Sequence, residues 1–144
     1  MYKSKNDDIG EVKLLMKDKD GEVKPLTRYE PSEAQETLGV FIAMDGNWRC
    51  QKEVLELKAA TFASQLRSRH LDRKEAWYAF NISFMKKIEY PMHATSLSLQ
   101  DWEDILHPVL IPLKQKLGIV KLWNSSLLFH PASHNGLNCH HPYY

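Results

Sequence analysis

Residues 72–91 read DRKEAWYAFNISFMKKIEYP, and the spacing of their apolar side chains decides how the rest of the chain is read. Trp77, Phe80, Phe84 and Ile88 recur at steps of three and four, as residues on one buried helical face do. Asp72 stands where an N-cap belongs and Glu75 follows three places on as its reciprocal partner, with Leu71 and Ala76 in the flanking staple positions. Pro91 disfavours the helical region for the residue before it, so the sequence predicts an end near Tyr90.

The same period extends outward on both sides. Between Trp48 and His70, the residues Leu55, Ala59, Phe62, Ala63 and Leu66 form one stripe. Downstream, Ser98 with Asp101 repeats the capping pattern, Leu97 and Trp102 supply the staple, and Leu99, Trp102, Ile105 and Leu106 are expected to face inward. Pro108 is expected to open a further short helix that Gly118 closes, while 119–129 reads equally as a short helix or a strand.

Before Trp48 the period is two. Val12, Leu14 and Met16 alternate, Asp20-Gly21 offers a turn, and Val23 to Leu26 returns as a second strand that Pro25 confines to an edge. Thr37 to Met44 is expected as a single strand with Leu38, Val40, Ile42 and Met44 on one face, ending at Asp45-Gly46. Strands followed by helices imply an α+β fold: a short antiparallel layer, one hairpin plus one strand, then three to four packed helices. The organisation read here is a disordered terminus over 1–10, strands over 11–46, a helical region over 47–130 and an irregular tail over 131–144.

A chain of 144 residues, 43% hydrophobic and 26% charged with a formal net charge of +1, has the composition of an ordinary globular domain. No apolar run approaches the roughly 20 residues that span a bilayer, so no membrane partner is expected. Cys50 and Cys139 lie far apart and no apolar run opens the chain, which leads us to expect a reduced, intracellular setting without a disulfide framework.

No GxxxxGK[ST] loop, GxSxG elbow, HExxH helix or CxxC pair occurs, so neither a catalytic residue nor a cofactor nor a small-molecule substrate is expected. Asp7-Asp8 lacks the flanking strand hydrophobics that would fix a magnesium-binding pair and reads as a solvated terminal charge pair. His130, His134, Cys139, His140 and His141 are of zinc-ligand type, but their spacing lacks a second Cys and crowds the end of the chain. A loose polar tail is expected instead, with a zinc-stabilised domain kept as an alternative. Arg67, Arg69, His70, Arg73 and Lys74 gather at the junction of the first two helices, and Lys86-Lys87 follow on the second. Such a patch suits phosphate contact through counterion release, although a solvated helix face is the plain reading.

The order of these pieces carries more information than any one of them. Thr37-Leu38-Gly39-Val40, Asp45-Gly46-Asn47, an Ala-rich amphipathic helix, Arg73 through Ala76-Trp77, and Lys86-Lys87-Ile88-Glu89-Tyr90-Pro91 followed by Ala94-Thr95 resemble the post-palm region of non-LTR-type retrotransposon reverse transcriptases. The likeness continues through Trp102, Pro108-Val109-Leu110, Gly118-Ile119 and Gly136-Leu137, covering roughly 36–137. It implies that the Leu-Gly-Val strand ends the palm and that the helices form the thumb holding the template–primer duplex. Arg67, Arg69, Arg73, Lys74, Lys86 and Lys87 would then meet phosphates without reading bases, and Gly39 would permit close backbone approach. The family's aromatic-x-Asp-Asp hairpin has no counterpart here, so the resemblance implies a non-catalytic piece of an RNA-directed DNA polymerase. Its partners would be duplex nucleic acid, bound weakly, or the missing polymerase domains. A helical protein–protein interaction module is the alternative from another class.

Overall fold

The structure is a computed structural model that describes residues 14–17, 19, 21–25, 29–120 and 122–143. The expectations for 1–10, for Asp7-Asp8, and for Val12 and Leu26 lie outside these residues. The chain divides into two compact units, Met1–Glu30 and Pro31–Tyr144.

In the first unit β1 (Leu15–Lys17) pairs antiparallel with β2 (Val23–Pro25), Met16 opposite Lys24. Pro25 sits opposite Leu15 at the end of the ladder, where its missing N–H does least harm. Every residue of both strands is exposed.

The second unit opens with another hairpin where a single strand was expected. β3 (Gln35–Thr37) pairs with β4 (Val40–Ile42), Thr37 opposite Val40, and Leu38-Gly39 form the turn between them. Both turn residues have positive φ, 51° and 83°, as a two-residue type I′ connection requires. The proposed face therefore does not exist: Val40 is buried, but Leu38 and Met44 are 82% and 92% exposed. A Cβ at Gly39 would meet nothing within 4 Å, so within this chain its glycine answers to φ.

Helix α1 (Arg49–Ser68) buries the expected stripe of Leu55, Ala59, Phe62, Ala63 and Leu66, and adds Gln51. Asn47 Oδ1 accepts the Arg49 N–H at 2.9 Å, taking up one donor of the first turn. Gln51 Oε1 accepts the Phe41 N–H at 2.8 Å and so ties β4 to α1.

The predicted cap at Asp72 is present in full: Asp72 Oδ1 accepts the Glu75 N–H, and Glu75 Oε2 accepts the Asp72 N–H. From it α2 (Arg73–Tyr78), a π-helical segment (Ala79–Phe84) and α3 (Met85–Ala94) follow without a break. The wider π turn lets Asn81 join Phe80 and Phe84 inside. The helix does not stop at Tyr90. Pro91 lies within α3 and is itself buried, extending the stripe from Ile88.

Helix α4 (Leu99–Lys116) starts at the Ser98–Asp101 capping box and runs straight through Pro108 and Pro112. The separate helix expected at Pro108 is thus part of α4. A proline inside a helix costs about 3 kcal/mol. Trp102, Ile105, Leu106, Val109 and Leu113 form one uninterrupted buried stripe, and about 1.5–3 kcal/mol for each outweighs two prolines. Gly118 (φ 72°) ends the helix: its N–H donates to Gln115 O and that of Ile119 to Lys114 O, the paired bonds of a Schellman stop. A four-residue α5 (Ser126–Phe129) resolves the ambiguous stretch as helix.

The aromatic stripe packs against α1, with Phe84 stacked on Phe62 at 4.7 Å between centroids and Phe80 at 5.7 Å from Phe84. Two antiparallel strand pairs followed by packed helices make this an α+β fold. No helix among the described residues is long and apolar enough to cross a membrane.

Candidate nucleic-acid interface

Two contacts fix how α1 and α4 lie together. At their starts, Lys52 Nζ lies 2.7 Å from Asp101 Oδ1 and 3.1 Å from Asp104 Oδ2. At their ends, Lys116 Nζ donates to Arg69 O at 2.6 Å. The helices therefore run in the same direction, and their C-termini meet at the junction where α2 begins.

This junction holds four of the six cations singled out from sequence. Arg67 is in the last turn of α1, Arg69 is its C-cap, and Arg73 and Lys74 open α2. All four are exposed, and none has a carboxylate within 4.0 Å among the described residues. The nearby acids Asp72 and Glu75 each place one carboxylate oxygen, Oδ1 and Oε2, on the other's backbone N–H. Lys86 and Lys87 stand apart: thirteen residues of continuous helix place Lys86 on the order of 20 Å from Arg73. Lys86 is also neutralised locally, its Nζ 2.6 Å from Glu89 Oε2, and that hydrogen bond holds the Glu89 carboxyl below its usual range.

Part of the patch has a purely structural explanation. Helix C-termini carry partial negative charge, so Arg67 on α1 and Lys114 and Lys116 on α4 are placed where a cation stabilises the helix. Arg73 and Lys74 have no such explanation. They occupy the first turn of α2, the end where a positive charge is disfavoured by about 0.3–1 kcal/mol.

Sequence reasoning missed Lys116, which lies 47 residues from Arg69 and reaches it only through the parallel packing of α1 and α4. It also misjudged the tail. The N–H groups of Leu137, Asn138 and Cys139 donate to Leu127, His130 and Leu128 carbonyls, so this segment is pinned rather than loose. Trp77 Nε1 donates to Leu137 O at 2.7 Å, and the His140 N–H to Asn81 Oδ1 at 2.8 Å. Trp77, expected as core, is half-buried and packs against the core.

His107, His130, His140 and His141 line a groove of about 760 Å³ together with Leu106 and Phe129. Among the described residues no three His, Cys, Asp or Glu side chains converge as a metal ion would need. Burial pushes the Cys139 thiol up to about 11, which disfavours the thiolate that zinc binds, although the Asn81 side chain pulls partly the other way. Burial likewise lowers the basicity of His141, which meets Phe129 edge-on at 4.6 Å.

No family model matches the chain, and no curated protein or solved structure matches it either.

Proposed function

We propose that this chain is a thumb-like, non-catalytic segment of a retroelement reverse transcriptase and that it holds a template–primer duplex by its phosphates. The ordered motifs from Thr37-Leu38-Gly39-Val40 to Gly136-Leu137 support the ancestry. One observation supports the contact: Arg73 and Lys74 stand unpaired at the positive end of a helix, a local cost with no structural return among the described residues. Arg67 and Arg69 extend the same junction, and nothing in the reading asks for base recognition, since a polymerase must advance over any sequence.

The test is binding of a labelled RNA–DNA hybrid across a salt series, comparing the chain with Arg67, Arg69, Arg73 and Lys74 all changed to alanine. Each lost phosphate contact lowers the log–log salt slope by about 0.9 on the duplex-DNA scale. A four-alanine variant with unchanged affinity and slope rejects the reading. Ancestry has its own arm, because the DNA upstream should encode an aromatic-x-Asp-Asp segment.

A second reading, a helical interaction module, draws on Tyr78, Ile82 and Tyr90, each more than half exposed on α2, the π segment and α3. Its signature is partner binding indifferent to salt and to the four alanines.

A further inference from the structure

We propose that Lys116 is a positioning residue for the cationic junction, an inference that rests on the duplex-binding reading above. The connection from α1 to α2 is only Arg69 to Asp72, held by Leu71 against the core and by hydrogen bonds to Arg69 O. That oxygen accepts the Leu71 N–H at 3.1 Å and the Lys116 ammonium at 2.6 Å. Arg69 itself has left the helix (φ −91°, ψ 140°), so intrahelical bonding no longer fixes the direction in which its carbonyl points. Lys116 supplies that constraint from a third element. Its side chain is half-buried at the end of α4, and α4 is held against α1 at the other end by the Lys52 ion pairs.

The consequence is geometric. Arg67 and Arg69 belong to the end of α1, Arg73 and Lys74 to the start of α2, and the four-residue link decides whether the two pairs present to one duplex. A charge-assisted bond to a backbone carbonyl is stronger than a neutral one and is directional. Losing it leaves all four cations in place while loosening the angle between the elements that carry them. Lys116 thus acts through Arg69, and direct phosphate contact is the competing role.

The experiment is a double-mutant cycle on the full chain, with the RNA–DNA hybrid as probe. Lys116→Met keeps the aliphatic stem and removes the donor, Lys116→Arg keeps a donor, and each is combined with the four-alanine background. Lys116→Met is expected to weaken binding by about fivefold in the parent chain and to have no effect once the four cations are gone, the coupling that contacting networks show. Lys116→Arg should restore most of the loss. Lys116→Leu, which likewise has no donor, replaces Lys116→Met if circular dichroism finds the latter unfolded. An equal loss of affinity and of about 0.9 in salt slope in both backgrounds would make Lys116 a phosphate contact and overturn the positioning role. So would parent-like binding by Lys116→Met while the four-alanine variant is weakened. Should the four-alanine variant itself bind normally, the duplex-binding reading fails first, and the two failures stay distinct.

Discussion

Lys52 Nζ lies 2.7 Å from Asp101 Oδ1, joining the first turn of α1 to the first turn of α4. Asp101 also accepts from the Ser98 N–H and Oγ as the reciprocal member of the capping box, so one carboxylate serves both the helix start and the inter-helix contact. These bonds, that to Lys52 foremost, draw the Asp101 carboxyl down to about 2 from an ordinary 3.8, and Lys52 is raised chiefly by the same bond.

A depressed carboxyl stabilises the fold above its unfolded value and stops doing so as pH falls through its folded value. Asp101→Asn should therefore cost about 1 kcal/mol at pH 7, as a partly exposed pair with a capping role does. The gap from the parent should narrow below about pH 4 and close near pH 2. Urea midpoints from pH 2 to 7 measure it, and a gap independent of pH would remove the ion pair from the account.

Leu38 predicts the opposite sign. It holds a φ of 51° in a turn where a branched apolar side chain is strained, and it is 82% exposed, so little burial rewards it. Leu38→Asn gives the Asn-Gly pair that type I′ turns prefer and should stabilise the second unit by about 0.5–1 kcal/mol. A melting temperature raised by about 2–4 °C is the expected reading. A fall would mean that the exposed leucine is making a contact.

The same residue shows where the sequence stopped being legible. Capping boxes at Asp72 and Ser98 were plain because their bonds span three residues and leave a local pattern. The α1 stripe was plain for its period. Leu38-Gly39 was not, because leucine hides a positive-φ turn inside an apparently alternating strand. Pro91 and Pro108 misled in the other direction: their local cost was visible, but the buried stripes that outweigh it depend on packing between α1, α3 and α4. For the candidate site, Arg67 to Lys74 were close in sequence and hence visible. Lys116 comes from 47 residues away, and no spacing rule could have placed it beside Arg69.

Asn81 carries the tail, and that too is measurable. Its Oδ1 holds the His140 N–H and its Nδ2 donates to Trp77 O at 3.3 Å. Asn81→Leu leaves those groups without their partner in a part-buried place, at about 1–3 kcal/mol. Amide exchange at His140 should quicken. In the parent Cys139 should resist a thiol reagent that modifies the half-buried Cys50, being buried with its thiol near 11; the variant should expose it. Equal reactivity of both cysteines in the parent would contradict the pinned tail.

The charges at the start of α2 allow function to be separated from stability. Arg73 and Lys74 sit at the positive end of the helix, flanked by Asp72 and Glu75, each of which gives one carboxylate oxygen to the cap. Replacing both by glutamine removes two disfavoured charges and leaves the capping box and the buried Ala76 untouched. The melting temperature should stay at or slightly above that of the parent. Hybrid binding should weaken, with the salt slope falling by about 1.8 for two lost contacts. A structural role for these cations predicts the reverse pair of results, lowered stability and unaltered binding, so one variant measured in two ways decides between a phosphate-facing junction and a solvated helix face.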